Sequence, residues 1–548
     1  MNKHNAKPSW LKKSLCLCLA AALLSGCGGD DGDDGMNGVD GQDGAAGAAG
    51  SDGSGNANPE FVTTSGFSFP SDSIFVAPEA VDGDNITNDL LLALFDAPAG
   101  STVVMPKGAF VIDETITVAN ANELTLTGYG ITDTKLDFTG ATGDDAIRFE
   151  GGLDITVRDF GVYEANKNGI KVVGANGVHL TYTATVWEGD LTADNGAYGL
   201  YPLQSQNILM EHNYARGSAD AGIYVGQSNN IIVRNNIAKE NVAGIEIENS
   251  NNADVYNNLA VGNTGGILVF DLPGLDQAYG GNVRVFNNES YANNAENFAG
   301  GGAVSIVPPG TGILIFATSG VEIYNNELTD NETSAIEIAS YFLSDPDVAN
   351  YATNYGGTIA NGWSPQIKNV YMHDNVIKRS GANPRGSLVT DIVNGYTAPV
   401  GVGGKGETMP AILYGGIGEL LSNAGELAAF NGLVGAEAQA DGVNYNPYTA
   451  DDLICANNNI NDNEPAAETQ FPHVNIGLVY GTDPTDLTNF DFSSGSPVPI
   501  PTLRSEPVQG NSTLLNCTQD RLAATEVNFR GKTYGCAGDD LAEPACAL

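Results

Sequence analysis

The chain has 548 residues, 42% of them hydrophobic, and a formal net charge of −43. That is apolar material enough for a substantial core, and length enough for one long domain with appendages or for two domains. So strong a negative charge excludes nucleic acid as a partner and excludes surface attraction to anionic membranes, while leaving divalent cations attractive.

Taken in order, the chain opens as an export signal. Lys12-Lys13 precede the apolar run Leu15 to Leu24, which is too short to span a bilayer as a mature helix. Leu24-Ser25-Gly26-Cys27 follows and resembles the bacterial lipobox, in which the cysteine is lipidated and becomes the new N-terminus. Residues 1–26 are therefore expected to be removed, with Cys27 carrying the lipid. Gly28 and Gly29, in place of Asp, imply the outer membrane as the cell-envelope site, and the lipid as the only membrane attachment. Glycine then recurs at every third position from Gly29 to Gly53. This resembles a collagen-like tract, but it is short, acidic and without proline, which argues against a triple helix and against trimerisation through it. Residues 27–60 read as an extended, self-repelling tether.

From Phe61 the composition becomes globular. Asn88 is placed to cap a short apolar helix that ends before Pro98, and alternating strands follow it. A helix in front of stacked strands covers the first open sheet edge.

Two strand types then alternate. The first includes Asn230–Asn236, Ala253–Asn258, Val283–Asn288 and Val321–Asn326; the second includes Gly169–Ala175, Gly199–Ser205, Gly222–Ser228, Gly244–Ser250 and Gly266–Leu272. Starts of the second type, from Ala146 onward, step by 23, 30, 23, 22, 22, 46 and 23 residues. The step of 30 carries an excursion with Trp187 and Glu188, and the step of 46 carries an insertion. Short strands with tight turns every 22 residues are coils of a right-handed parallel β-helix, an all-β solenoid expected over residues 61–380. Val233, Val255, Val285 and Ile323 form one inward column, and Ile223, Ile245 and Ile267 another. Asn213, Asn236, Asn258, Asn288, Asn326 and Asn375 end successive first-type strands and read as a structural amide ladder. Residues 381–548 read as irregular, with a last coil strand near 454–460. Four cysteines lie there, expected to pair as Cys455–Cys517 and Cys536–Cys546, although four cysteines allow three connectivities.

The stretch Gly196 to Gly274 resembles a bacterial family of exported parallel β-helix repeat proteins. Members carry lipoprotein or ordinary signals and are often encoded beside a dihaem c-type cytochrome. The wider clan of right-handed β-helix proteins includes pectate lyases, polygalacturonases and uronan epimerases. The resemblance thus implies the fold, and by analogy either a polysaccharide or a cytochrome as partner.

Chemistry is sought on the outward columns. On the second strand type, Arg148, Lys171, Tyr201, Tyr224, Glu246 and Leu268 follow one another, with Gln204 and Gln227 at strand ends. At coil steps of roughly 4.8 Å such a series suits a sugar chain, provided it lines a groove and not a flat wall. Glu246 and Glu248 face the same way and read as a carboxylate pair for an inverting hydrolase, or as Ca²⁺ ligands beside Asn249 and Asp271. For elimination from an acidic sugar, His212 or Lys171 would be the base and Arg216, Arg234 or Ca²⁺ the neutraliser. The first strand type offers another outward column, Glu211, Arg234, Tyr256, Phe286, Tyr324 and His373. The Asp-Pro-His, Arg-x-Pro-x-x-Arg and Gly-His-Gly signatures of the clan's enzymes do not occur. Two functions stay open: an envelope lipoprotein that binds and processes a polysaccharide as lyase, epimerase or hydrolase, and a non-catalytic scaffold that docks a c-type cytochrome.

Overall fold

A computed structural model describes residues 61–345, 350–386, 412–414, 454–461, 473–475, 478–480, 490–491, 498–499, 501–503 and 517–536. The signal segment, Cys27, the glycine tract and Cys546 lie outside the described residues.

Strands that repeat every 22 residues pair with their counterparts one coil away, in parallel and in register. Ile223 pairs with Ile245, Ile245 with Ile267 and Ile267 with Ile313. Val233, Val255, Val285 and Ile323 pair in the same way on the first strand type. Both columns are fully buried and belong to one continuous apolar core. Among the described residues the second strand type builds an 11-stranded parallel sheet that begins at Glu114–Ala119 and ends at His473–Asn475. The architecture is a parallel β-solenoid. Rungs continue past residue 380 through Ile412–Tyr414 and Ile454–Asn457, which pair with Ile336–Ile338 and Val370–His373. A separate small unit within residues 480–501 contains Phe490–Asp491 paired antiparallel with Val498–Pro499.

The cap helix spans Thr87–Asp96 and buries Leu90 and Leu94 against the first coils. It starts one residue earlier than its expected cap. Asn88 therefore lies in the first turn, and Asn85 instead accepts the Thr87 N–H at 2.9 Å.

The amide ladder is continuous. Asn258 Nδ2 donates to Val233 O at 2.9 Å and to Asn288 Oδ1 at 3.0 Å, while its Oδ1 accepts from the backbone N–H and the amide of Asn236. The same pattern links Asn213 through to Asn326, Asn375 and Asn459. Three features escaped the sequence reading. A second ladder joins Asn241, Asn263, Asn293 and Asn331. A serine ladder joins Ser205, Ser228 and Ser250. And the C-terminal segment is a strap that runs back along the solenoid. Cys517 is disulfide-bonded to Cys455 in the last coils, and the expected pair thus forms. From there Leu522 N meets Glu322, Thr525 N meets Asp254, Asn528 N meets Asn207, and Arg530 donates to Glu123 O and Asp154 O. Cys536 is also disulfide-bonded, and its carbonyl accepts from Arg284.

Asn258→Ala removes one ladder rung and strands the buried Val233 O and Asn236 N–H of the preceding coil. It should lower unfolding stability by about 3 kcal/mol, read as a fall in the urea midpoint at unchanged m-value.

Candidate functional site

The outward column of the second-type sheet stacks in the expected order. Arg148 pairs with Lys171, Lys171 with Tyr201, Tyr224 with Glu246 and Glu246 with Leu268. The column is open at one end and closed at the other. Arg148, Lys171 and Tyr201 are partly exposed, whereas Tyr224 is 3% and Glu246 1% exposed. The expectation that Tyr224 and Glu246 line a solvent-open groove is corrected by their burial. The insertion inside the 46-residue step folds back over them, because its Val304 and Val307 pack on the apolar side chains Leu268 and Leu314 that continue the column.

At the open end, the Lys171 ammonium sits 4.8 Å from the Tyr201 ring centre. Arg148 is held by Asp145 and Glu150. Tyr198, which the sequence reading overlooked, stacks on Tyr201 at 4.3 Å and touches Tyr224 at 4.8 Å. Gln204 and Gln227 do not face this strip. Gln204 donates to Asp276, and Gln227 accepts from the Asp276 and Gln277 N–H groups, so both hold the loop after Leu272.

At the closed end three carboxyls meet. Burial pushes Asp220 up to about 7, against a hydrogen bond from Tyr198 and aided by the charge of Glu248. Burial also raises Glu248 to about 7, although the Tyr224 hydroxyl donates to its Oε2 at 2.9 Å. Glu246 is pushed well above the carboxylate range by burial and by the charges of Asp220 and Glu248. Its Oε2 is buried with no hydrogen-bond partner. Nearby tyrosines respond in kind: burial and the carboxylates push Tyr201 up to about 12 and raise Tyr224 and Tyr198 further. Three like charges in so little solvent cannot all ionise, so the cluster holds protons near neutral pH. Asp220 also escaped the sequence reading. It precedes the strand Ala221–Gly226 in a turn, where no period-two signal marks a side chain's direction.

The other candidates lie elsewhere. His212 stacks on Tyr182 at 4.7 Å at the end of a first-type strand, and burial lowers its pKa. Arg216 binds Glu240 and Trp187 O. Arg234 is buried between Glu211 and Tyr256. None of these three joins Lys171 or Glu246, so the arrangement of base and neutraliser expected for elimination is not assembled. The second outward column is closed too: Tyr256, Phe286, Tyr324 and His373 stack ring on ring at 4.8, 4.9 and 5.1 Å beneath the C-terminal strap. The Ca²⁺ reading fares similarly. Asn249 donates its amide to Leu272 O and Gln277 O, and Asp271 accepts the Gly280 N–H, so both brace a loop. Among the described residues no group of three or more His, Cys, Asp or Glu side chains is placed to hold a metal.

A family model described as a right handed beta helix region matches residues 115–272. No curated protein matches the chain. Among solved structures it is similar to the A-module of the Azotobacter vinelandii mannuronan C-5 epimerase AlgE4, at 14% identity over 73% of this chain and 97% of that one, with a TM-score of 0.40. It is similar also to the Agl-KA catalytic domain, at 14% identity over 64% and 63% with a TM-score of 0.38. A third is the alginate lyase of Paenibacillus sp. str. FPU-7, at 14% identity over 54% and 96% with a TM-score of 0.31.

The raised carboxyls set a pH dependence. Asp220, Glu248 and the buried Glu337, which burial pushes up to about 8, bind protons more tightly folded than unfolded, where carboxyls titrate near about 4.3. Their contribution is complete below that value and is lost as pH rises towards 8. The thermal midpoint should therefore fall between about pH 5 and pH 8. Glu337→Gln should flatten that slope and exceed the parent in stability at pH 8 by roughly 2 kcal/mol, measured by calorimetry across the range.

Proposed function

We propose that this protein binds a polysaccharide along the outward face of the second-type sheet, at the cell envelope, where a lipid on Cys27 holds it. The observation that carries the reading is the open strip of Lys171, Tyr201 and Tyr198. It is the one part of the outward columns named above where aromatic rings stay half-exposed while an ammonium without an ion pair stands over them. Sugar rings present apolar C–H faces that pack on aromatic rings, and their hydroxyls accept from an ammonium. The strip crosses coils, so successive rungs meet successive parts of an extended chain at steps of roughly 4.8 Å.

Two features favour a polymer over a small molecule. The column continues past Arg148 to Thr117, and it leads towards the buried carboxyls at its other end. The charge of −43 supports an exterior setting with no nucleic-acid partner.

Calorimetric titration and affinity electrophoresis against neutral and anionic polysaccharides test this. At least one polymer should bind, and Tyr201→Ala should weaken it by about tenfold or more, roughly 1.4 kcal/mol, whereas Lys107→Ala on another surface should leave affinity unchanged. If no polymer binds more tightly than about 1 mM, or if the two variants behave alike, the strip is not a glycan site.

A further inference from the structure

The loop from Ala292 to Gly310 is the part of the solenoid that the repeat does not require. It closes on itself: the Asn297 amide donates to Val304 O at 2.8 Å and to Val307 O at 2.9 Å. Its apolar underside rests on the covered half of the column. Its tip, Gly300-Gly301-Gly302, is exposed. Gly302 has a φ of 83°, which favours glycine, and a Cβ placed there would lie 3.8 Å from Asp220 Oδ2. A Cβ placed on Gly300 would lie 3.9 Å from the Cβ of Ala193, in the excursion that follows Trp187. The tip thus lies between the excursion at Ala193 and Asp220, one member of the carboxyl cluster.

Beneath it, Glu246 keeps a buried oxygen with no partner, within the field of two other carboxyls. An unsatisfied buried acceptor costs a fold about 1–3 kcal/mol, and a glutamine or an apolar residue would avoid the charge. A fold gains nothing from such a group beside two further carboxyls unless a ligand meets it.

We propose that Asp220, Glu246 and Glu248 form the acid–base centre of a glycoside hydrolase, and that the loop Ala292–Gly310 is the lid that uncovers it. This rests on the glycan-binding reading, since the chain on Lys171 and Tyr201 continues along the same column onto Tyr224 and Glu246. The groups that perturb Asp220, Glu246 and Glu248 are one another and the tyrosines Tyr198 and Tyr224. The lid side chains packed on the column, Phe298, Val304 and Val307, carry no charge. Among the described residues no guanidinium or ammonium perturbs the cluster or would neutralise a uronate carboxylate there, which favours a neutral sugar at the centre and hydrolysis over elimination. Protonated Glu246 gives its proton to the bridging oxygen as the C1–O bond breaks. Ionised Asp220, on the solvent edge, takes a proton from a water whose oxygen bonds to C1. One water is consumed and the two carboxyls exchange protonation states, which solvent restores. Glu248, held by Tyr224, is a positioning residue that keeps Glu246 protonated.

The geometry supplies its own test. A separation of 3.9 Å falls in the range for cysteine Cβ atoms in a disulfide, so Ala193→Cys with Gly300→Cys should lock the lid when oxidised. Carbodiimide labelling read by peptide mass spectrometry follows the exposure of Glu246 and Glu248 without any substrate. Labelling should fall about tenfold in the locked protein and recover on mild reduction that leaves Cys455–Cys517 intact by thiol count. Release of reducing ends from whichever neutral polysaccharide binds should likewise stop and recover. Glu246→Gln and Asp220→Asn should each lower turnover by about 100-fold or more with affinity within about threefold of the parent. Equal labelling in locked and unlocked protein would overturn the lid. Turnover that survives both carboxamide variants, or a bound polysaccharide that is never cut, would overturn the centre. If no polysaccharide binds at all, the strip fails and the centre with it, while the labelling still decides the lid.

Discussion

The in-register amide ladder is the constraint from which the rest of the structure follows. Each ladder asparagine spends its carbonyl on the neighbouring coil's backbone N–H and its amide on a carbonyl and on the next asparagine. A slip of one residue on any coil would break these bonds on both neighbours and turn the valine and isoleucine columns outward. Because register is held this firmly, side chains 22 or 23 residues apart become vertical neighbours. That is why Lys171, Tyr201, Tyr224 and Glu246, from four successive coils, share one column.

The two outward faces share this geometry and differ in what covers them. On the first-type face, charges are paired within the sheet before the strap arrives. Arg234 meets Glu211, Arg284 meets Asp254, and His373 meets Glu322 at 3.0 Å. The strap then adds backbone donors to the same carboxylates and spans the solenoid from Cys455 to Glu123. A solenoid held only by nearest-neighbour contacts can fray coil by coil. A strap tied at both ends couples distant coils directly.

The covered half of the second-type face lacks that internal pairing, which its open end has in Arg148 with Asp145 and Glu150. Burial alone would raise Glu211, yet hydrogen bonds and charge from His179 and Arg234 bring it down to about 2. Glu246 occupies an equivalent outward position with only carboxyls and tyrosines for company, and it is pushed far the other way. One face has neutralised its charges and is sealed by a chain segment with its own donors. The other keeps a carboxyl cluster with one buried oxygen unpartnered, beneath a loop that packs apolar side chains on the column. The contrast points to structure on the first face and to chemistry on the second.

The repeat was legible because it is written in the chain's own period. The alternation placed Val233 and Ile245 inside and Tyr201, Tyr224 and Glu246 outside, and the stack follows that order. The first ladder was visible as paired asparagines, and the Cys455–Cys517 pair was one of a few possibilities. What covers each face was not legible. Gly300, Val304 and Val307 sit in an insertion, and Arg530 lies 376 residues from the carbonyl it binds at Asp154. Neither segment has a period that ties it to a coil. Asp220 entered the site from a turn, and Tyr198 from the first position of its strand, where the alternation has not yet begun to mark a direction. Sequence alone determined which residues share a column, since a two-residue alternation and a 22-residue step are local properties of the chain. Only the tertiary structure decided which part of a column meets water, because burial there depends on segments that return from far away and dock by shape.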